Sequence, residues 1–260
     1  MMRLLEIEWM KLKHYRAFKI FGILYLAGIL GVLFVMNVIY SNIPAGEIAK
    51  SFLENPFNYP KLWNTTGWLN SWLLFFPGWL IINHCVNEFN FKTHRQNVID
   101  GWSREQFIKA KLLLVLAFAI VITLINILAT VVMGFSLGAS FSLEGFQFMG
   151  FVFVQTLNYM LFAFLLAILL RKSGLAAGIF FLFGLIFEII IVQLINRKFD
   201  LAPAGFFLPL QVSDELVPLP FLEKVLNIRT PAIWSLLVGC AAYCSLYVYI
   251  AIRKFKNDDL

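Results

Sequence analysis

The sequence predicts an all-α integral membrane protein of six transmembrane helices, and three observations carry that prediction. First, six apolar runs cover Ile20–Tyr40, Gly67–Val86, Leu112–Phe135, Phe146–Leu170, Ser173–Ile195 and Ala232–Ile252, and Glu188 is the one formally charged residue inside any of them. A helix rises about 1.5 Å per residue, so roughly 20 residues cross the hydrocarbon core, and each run reaches that length. Second, the chain is 60% hydrophobic and 14% charged, a surplus of apolar surface that a soluble domain of this size could not bury. Third, fifteen of the 21 Lys and Arg residues fall on one side of the predicted spans. That asymmetry places both termini in the cytoplasm. The net charge of +6 then reflects topology and anionic lipid rather than nucleic acid. One membrane domain, residues 1–260, is the natural division.

Residues 1–17 predict an amphipathic helix at the cytoplasmic interface. Leu5, Trp9 and Leu12 recur at helical spacing with Leu4 beside them, and Glu6, Glu8, Lys11 and Lys13 fall on other faces. It reads either as a membrane anchor or as an elbow that turns into the first span and supports a cytoplasmic contact. This segment, and the length of the run after it, argue against a cleaved signal peptide. In the second span, Trp63, Trp68 and Trp72 are expected to form an interfacial belt, and Pro77-Gly78 to kink the helix.

The polar segment 87–111 is the most informative. Glu88 to Ile99 extends the second span as a helix, Asp100-Gly101 marks a turn, and Ser103 with Gln106 matches a capping box that starts a helix through Phe107 and Ile108 into the third span. A helix, a tight turn and a helix with an exposed aromatic make a protruding knob. The knob suits docking into a partner's groove, or stands as a hairpin without a partner.

Glu188 lies in the outer half of the fifth span, and Asn126, Gln155 and Asn158 lie at comparable depth in the third and fourth. A carboxylate at such depth costs on the order of 3 kcal/mol. Glu188 therefore reads as a structural hydrogen-bonding group satisfied by those amides, as part of a translocation path with them, or as a proton carrier. Gly174 and Gly178 form a small-residue pair of the kind that lets helices approach closely. His14, His84 and His94 read as solvated or interfacial side chains, and Cys85, Cys240 and Cys244 as packing residues; none has the spacing of a metal centre. The outer stretch 196–231 is apolar yet broken by Pro203, Pro209, Pro218, Pro220 and Pro231. It reads as short helices dipping back toward the bilayer, or as a loop resting on lipid.

The order of these parts resembles the permease subunit of ABC-2 type ABC transporters, the type V exporter architecture, and among them small bacterial permeases including the lantibiotic-immunity-like group. The resemblance rests on Glu-Trp-Met-Lys-Leu-Lys at Glu8–Lys13, on Glu88, Lys92-Thr93 and Gly101-Trp102-Ser103-Arg104, and on Lys111 opening the third span, together with six spans and a Pro-containing outer segment. It implies an elbow helix over Met2–Arg16 and a coupling helix region in which Glu88, Arg95, Asp100, Gly101, Trp102, Ser103, Arg104 and Phe107 contact an ATPase subunit. It implies re-entrant gate helices over Phe206–Ile228 and residence in the bacterial cytoplasmic membrane. The chain has no G-x-x-x-x-G-K-[ST] phosphate loop. The resemblance therefore implies that this chain binds no cofactor, that ATP and Mg are bound by two separate ATPase subunits, and that a second permease, identical or homologous, completes the machine.

Three function classes follow. The first is the permease of an ATP-driven exporter for a lipid, peptide or hydrophobic drug. The second, an ATP-independent transporter or channel, would place more ionisable groups at mid-membrane than Glu188 alone. The third, an intramembrane enzyme, needs a nucleophile, base or metal ligands deep in the spans, and the sequence offers no histidine or paired carboxylates there.

Overall fold

A computed structural model describes residues 2–42, 55–93, 103–199, 201–218 and 231–257, and among these residues there are helices and no strand. Helix α1 (Met2–Lys13) leads into α2 (Arg16–Asn42). Helices α3 (Lys61–Leu73) and α4 (Phe75–Asn90) follow, then α5 (Arg104–Ser136) and α6 (Gln147–Leu170). The next stretch is α7 (Ser173–Leu182), a π-helical turn at Phe183–Phe187, α8 (Glu188–Gln193) and a second π-helical turn at Leu194–Lys198. A 3-10 turn at Ala204–Phe207, the single turn α9 (Gln211–Asp214) and α10 (Ile233–Asn257) complete the described chain.

Among the described residues, five helices are long and apolar enough to cross a membrane: α2, α5, α6, the helix Ser173–Lys198 and α10. They mark an integral membrane protein. The pair α3 and α4, bent by 40° at Leu74, becomes a sixth span if it crosses as one. Pro77 accounts for the break. It has no N–H to offer the Leu73 carbonyl four residues back, and its ring crowds that carbonyl. The flanking bonds persist, Leu74 N–H to Asn70 O at 3.0 Å and Gly78 N–H to Leu74 O at 3.0 Å, so the helix bends without unravelling. Gly78 serves close packing: the Phe180 ring lies against its bare Cα.

Helix α6 is the axis of the bundle. It packs against α3, α4, α5, α7 and α10, and 72% of its apolar window is buried, against 17–33% for the other four spans. The remaining helices therefore keep most of their apolar surface for lipid or for another chain.

The two ends of the bundle differ. At the basic end, α1 packs on α5, and the last turns of α10 meet the first turns of α5. There Phe107 stacks on Phe255 at 4.8 Å between centroids, with Phe89 edge-on to both. Phe107 is 1% exposed, so the aromatic expected to project toward a partner is an internal packing residue. The capping box forms as predicted, with Ser103 Oγ accepting from Gln106 N–H at 3.1 Å and Gln106 Oε1 accepting from Ser103 N–H at 2.8 Å. The helix it starts is the whole of α5. The second span does not continue to Ile99 as one helix. It stops at Asn90, and Lys92 turns the chain with φ of 56°.

At the far end, Trp63 is corrected from belt to core. It is 1% exposed, packs among Tyr59, Phe141 and Phe146, and its Nε1–H donates to Ser142 O at 2.9 Å. Trp72, 51% exposed, keeps the outward position expected of a belt residue.

A side chain at Gly78 must displace Phe180, and overpacking of this kind costs about 1–3 kcal/mol. Gly78→Val is expected to lower the thermal midpoint of the purified protein. Gly22→Val, where no neighbour lies within 4 Å, is expected to leave it unchanged.

Candidate functional site

The basic end holds a buried ionic network built from three helices. Helix α1 contributes Glu8 and Lys11, α4 contributes His84 and Glu88, and α5 contributes Lys111. His84 and Glu88 are one helical turn apart and so share a face. The Lys111 ammonium sits at the centre, 2.6 Å from Glu8 Oε2 and 2.7 Å from Glu88 Oε1. Lys11 bridges the same carboxylates from the rim, 2.8 Å from Glu88 and 3.3 Å from Glu8. His84 Nε2 lies 2.7 Å from Glu8 Oε2 and 3.1 Å from Lys111 Nζ. One ring nitrogen cannot donate to the first and accept from the second. We assign the proton to Nε2, which donates along the shorter contact. Glu8 is fully buried, Lys111 is 1% exposed, and Glu88 and His84 are nearly as enclosed.

Among the described residues of the network, two carboxylates face two ammoniums, the kind of pairing that burying such groups requires. Burial alone would raise the Glu8 pKa. Lys111, the His84 hydrogen bond and Lys11 outweigh it and hold the carboxyl well below its ordinary value. The amphipathic reading of α1 is thereby revised. Its inward side is Glu8 and Leu12, whereas Trp9 is 53% exposed and rests edge-on against Phe18. His84, expected at a wet interface, is an interior member of the network.

Glu8, His84 and Glu88 bring three ligand-type atoms within 4.8 Å of one another, as a metal centre would. Lys111 Nζ fills the position such a cation would take, so the chain supplies its own positive charge there.

Of the residues expected to touch an ATPase, the structure places Glu88 in this network and Phe107 in the aromatic stack, both facing inward. Ser103 is exposed and caps α5, and Arg104 opens that helix. Arg95, Asp100, Gly101 and Trp102 lie outside the described residues.

The expected polar layer separates into two groups. Asn126 belongs with α2 and α3: its Nδ2–H donates to the Tyr25 hydroxyl oxygen at 2.8 Å, and that hydroxyl donates to Asn70 Oδ1 at 2.6 Å. Gln155, Asn158 and Glu188 instead hold the segment 201–218. Glu188 Oε1 accepts from the backbone N–H groups of Leu210 and Gln211 at 2.8 and 3.1 Å. Gln155 donates to Asp214 Oδ1 at 2.9 Å, and Asn158 to Pro209 O at 2.7 Å and Ser213 Oγ at 3.0 Å. Two tyrosines unmarked by any sequence signal join them. Tyr159 donates to Asp214 Oδ2, and Tyr243 to Phe207 O, both at 2.9 Å. Glu188 is thus satisfied by main-chain donors, not by the amides. The π-helical turn just before it widens the helix at that point.

Two outcomes follow. Glu8→Gln removes one of the two carboxylates that hold the buried Lys111 ammonium and is expected to cost about 3–5 kcal/mol of unfolding free energy. Because the Glu8 pKa is depressed in the folded protein, its contribution is complete above the ordinary value of 4.5 and is lost as pH falls below it. Acid titration of stability should therefore be shallower in Glu8→Gln than in the wild type. At the far end, Glu188→Ala removes the acceptor for two N–H groups. It is expected to raise thiol labelling of a Val212→Cys reporter severalfold, and Glu188→Gln, which keeps a carbonyl acceptor, much less.

No curated protein matches the chain. A family model described as "Protein of unknown function (DUF2705)" matches residues 24–260, a range that takes in His84, Glu88, Lys111 and the far-end polar residues but not Glu8 or Lys11 of α1. The chain belongs to that family.

Proposed function

We propose that this chain is the membrane-spanning permease subunit of an ATP-driven exporter of the ABC-2 type. In this reading α3 and α4 cross the membrane as one bent span, giving six. The basic end and both termini face the cytoplasm of a bacterium, and α1 is the elbow helix. Two ATPase subunits bind the segment 87–111 and hold ATP and Mg. A second permease, identical or homologous, pairs with this one, and the path between them carries a lipid, peptide or hydrophobic drug.

One observation carries the reading. The Lys111 network fastens α1 to the two helices, α4 and α5, that lead into and out of the segment 87–111. A push on that segment would move α1, α4 and α5 as one body, which is what a transmitter of mechanical work needs. The far-end segment 201–218, hydrogen-bonded to the axial helix α6, would serve as the outer gate.

The test is co-purification from native membranes under mild detergent. An ATPase subunit should accompany the chain. Trp102→Ala and Arg104→Ala should abolish that association while leaving membrane insertion intact. Transport by the purified chain in liposomes without nucleotide or companion protein would refute the reading, as would tight ATPase binding by both variants.

A further inference from the structure

At the basic end a groove opens between the first turns of α5 and the last turns of α10. It holds about 170 Å³ and is lined by Glu105, Ile108, Lys109, Leu112, Ile252 and Lys256. Its floor is aliphatic, from Ile108, Leu112 and Ile252. Its mouth is charged: Lys256 Nζ lies 2.6 Å from Glu105 Oε1, and Lys109 Nζ lies 4.0 Å from Glu105 Oε2. One carboxylate therefore draws two ammoniums together above an apolar trough, and the lining keeps one positive charge in excess. Both lysine heads are about half exposed or more, so they can meet a ligand while staying partly hydrated. Arg253 and Lys254 lie on the adjoining turn of α10.

We infer that this groove is a binding site for one anionic phospholipid per chain. An acyl chain lies on Ile108, Leu112 and Ile252, and the headgroup phosphate meets Lys109 and Lys256. The charge arrangement selects this occupant. Both helices are apolar enough to cross a membrane and bring the trough to the level of lipid headgroups, and basic pockets between spans favour anionic over zwitterionic headgroups. The choline of a zwitterionic lipid would bring a second positive charge toward a mouth already in cationic excess. Glu105 acts here as a positioning residue, holding the two lysine heads over the trough.

The full chain, purified and stripped of lipid, can be titrated with phosphatidylglycerol and phosphatidylcholine of matched acyl chains and read by native mass spectrometry. The first phosphatidylglycerol adduct is expected to be favoured about tenfold. The preference should fall to near parity in Lys109→Gln/Lys256→Gln. Lys109→Gln alone, which leaves the Glu105–Lys256 bridge in place, should reduce it about threefold and serves where the double variant does not fold. Ile252→Trp fills the trough and keeps every charge, and it should also weaken the first adduct. Equal binding of the two lipids by the wild type overturns the site, as does a tenfold preference that survives either lysine change. Undiminished binding by Ile252→Trp removes the acyl trough from the proposal and overturns it too.

Discussion

The ammonium of Lys111 is the point on which the basic end of this protein depends. An isolated ammonium in a low-dielectric interior is costly by several kcal/mol even after relaxation. Lys111 is 1% exposed, and it is tolerated because Glu8 and Glu88 approach it from two other helices at 2.6 and 2.7 Å. The dependence is mutual. Glu8, fully buried on a short helix outside the bundle proper, has no other deeply buried cation beside it among the described residues. If α1 were to detach, it would leave Glu88 and Lys111 partly unpaired and open a path for water. The network therefore specifies where α1 docks and in which rotation. The twelve residues of α1, Met2–Lys13, give it too little apolar surface to do this by hydrophobic burial alone.

The far end solves a different problem with different chemistry. The segment 201–218 is irregular and carries many main-chain donors and acceptors that must be satisfied where lipid and protein exclude water. Side chains from three spans supply main-chain partners, Asn158 from α6, Glu188 from α8 and Tyr243 from α10, while Gln155 and Tyr159 of α6 hold the Asp214 carboxylate. The far end is thus held by hydrogen bonds, several of them to the carboxylates of Glu188 and Asp214, where the basic end is held by ion pairs.

Five of the six runs were legible as long apolar helices because length and hydropathy answer to one constraint, the thickness of the bilayer, whereas the second run is broken at Leu74. The start of α5 was legible because a capping box is local, fixed by Ser103 and Gln106 alone. The inward rotation of α1 was not. Leu5, Trp9 and Leu12 made the more apolar stripe, and only a lysine 103 residues downstream turned Glu8 to the inside. The same non-local pairing hid His84, whose burial needs Glu8 rather than any neighbour in sequence. A signal was present in part: His84 and Glu88 sit one turn apart, so both point at whatever covers that face. Trp63 was misplaced because a tryptophan at the end of a span looks the same whether lipid or a folded loop lies over it, and here Phe141, Ser142 and Phe146 do. Glu188 was recognised as an outlier, but its partners are backbone N–H groups, which leave no mark in a sequence.

The account stands on the coupling between Glu8 and Lys111. A double-mutant cycle with Glu8→Gln, Lys111→Met and the combined variant, read from reversible unfolding in mixed micelles, measures that coupling directly. The account predicts that the combined variant is more stable than the sum of the single losses implies, by about 1.5 kcal/mol or more. Single losses that add to within about 0.5 kcal/mol would contradict it.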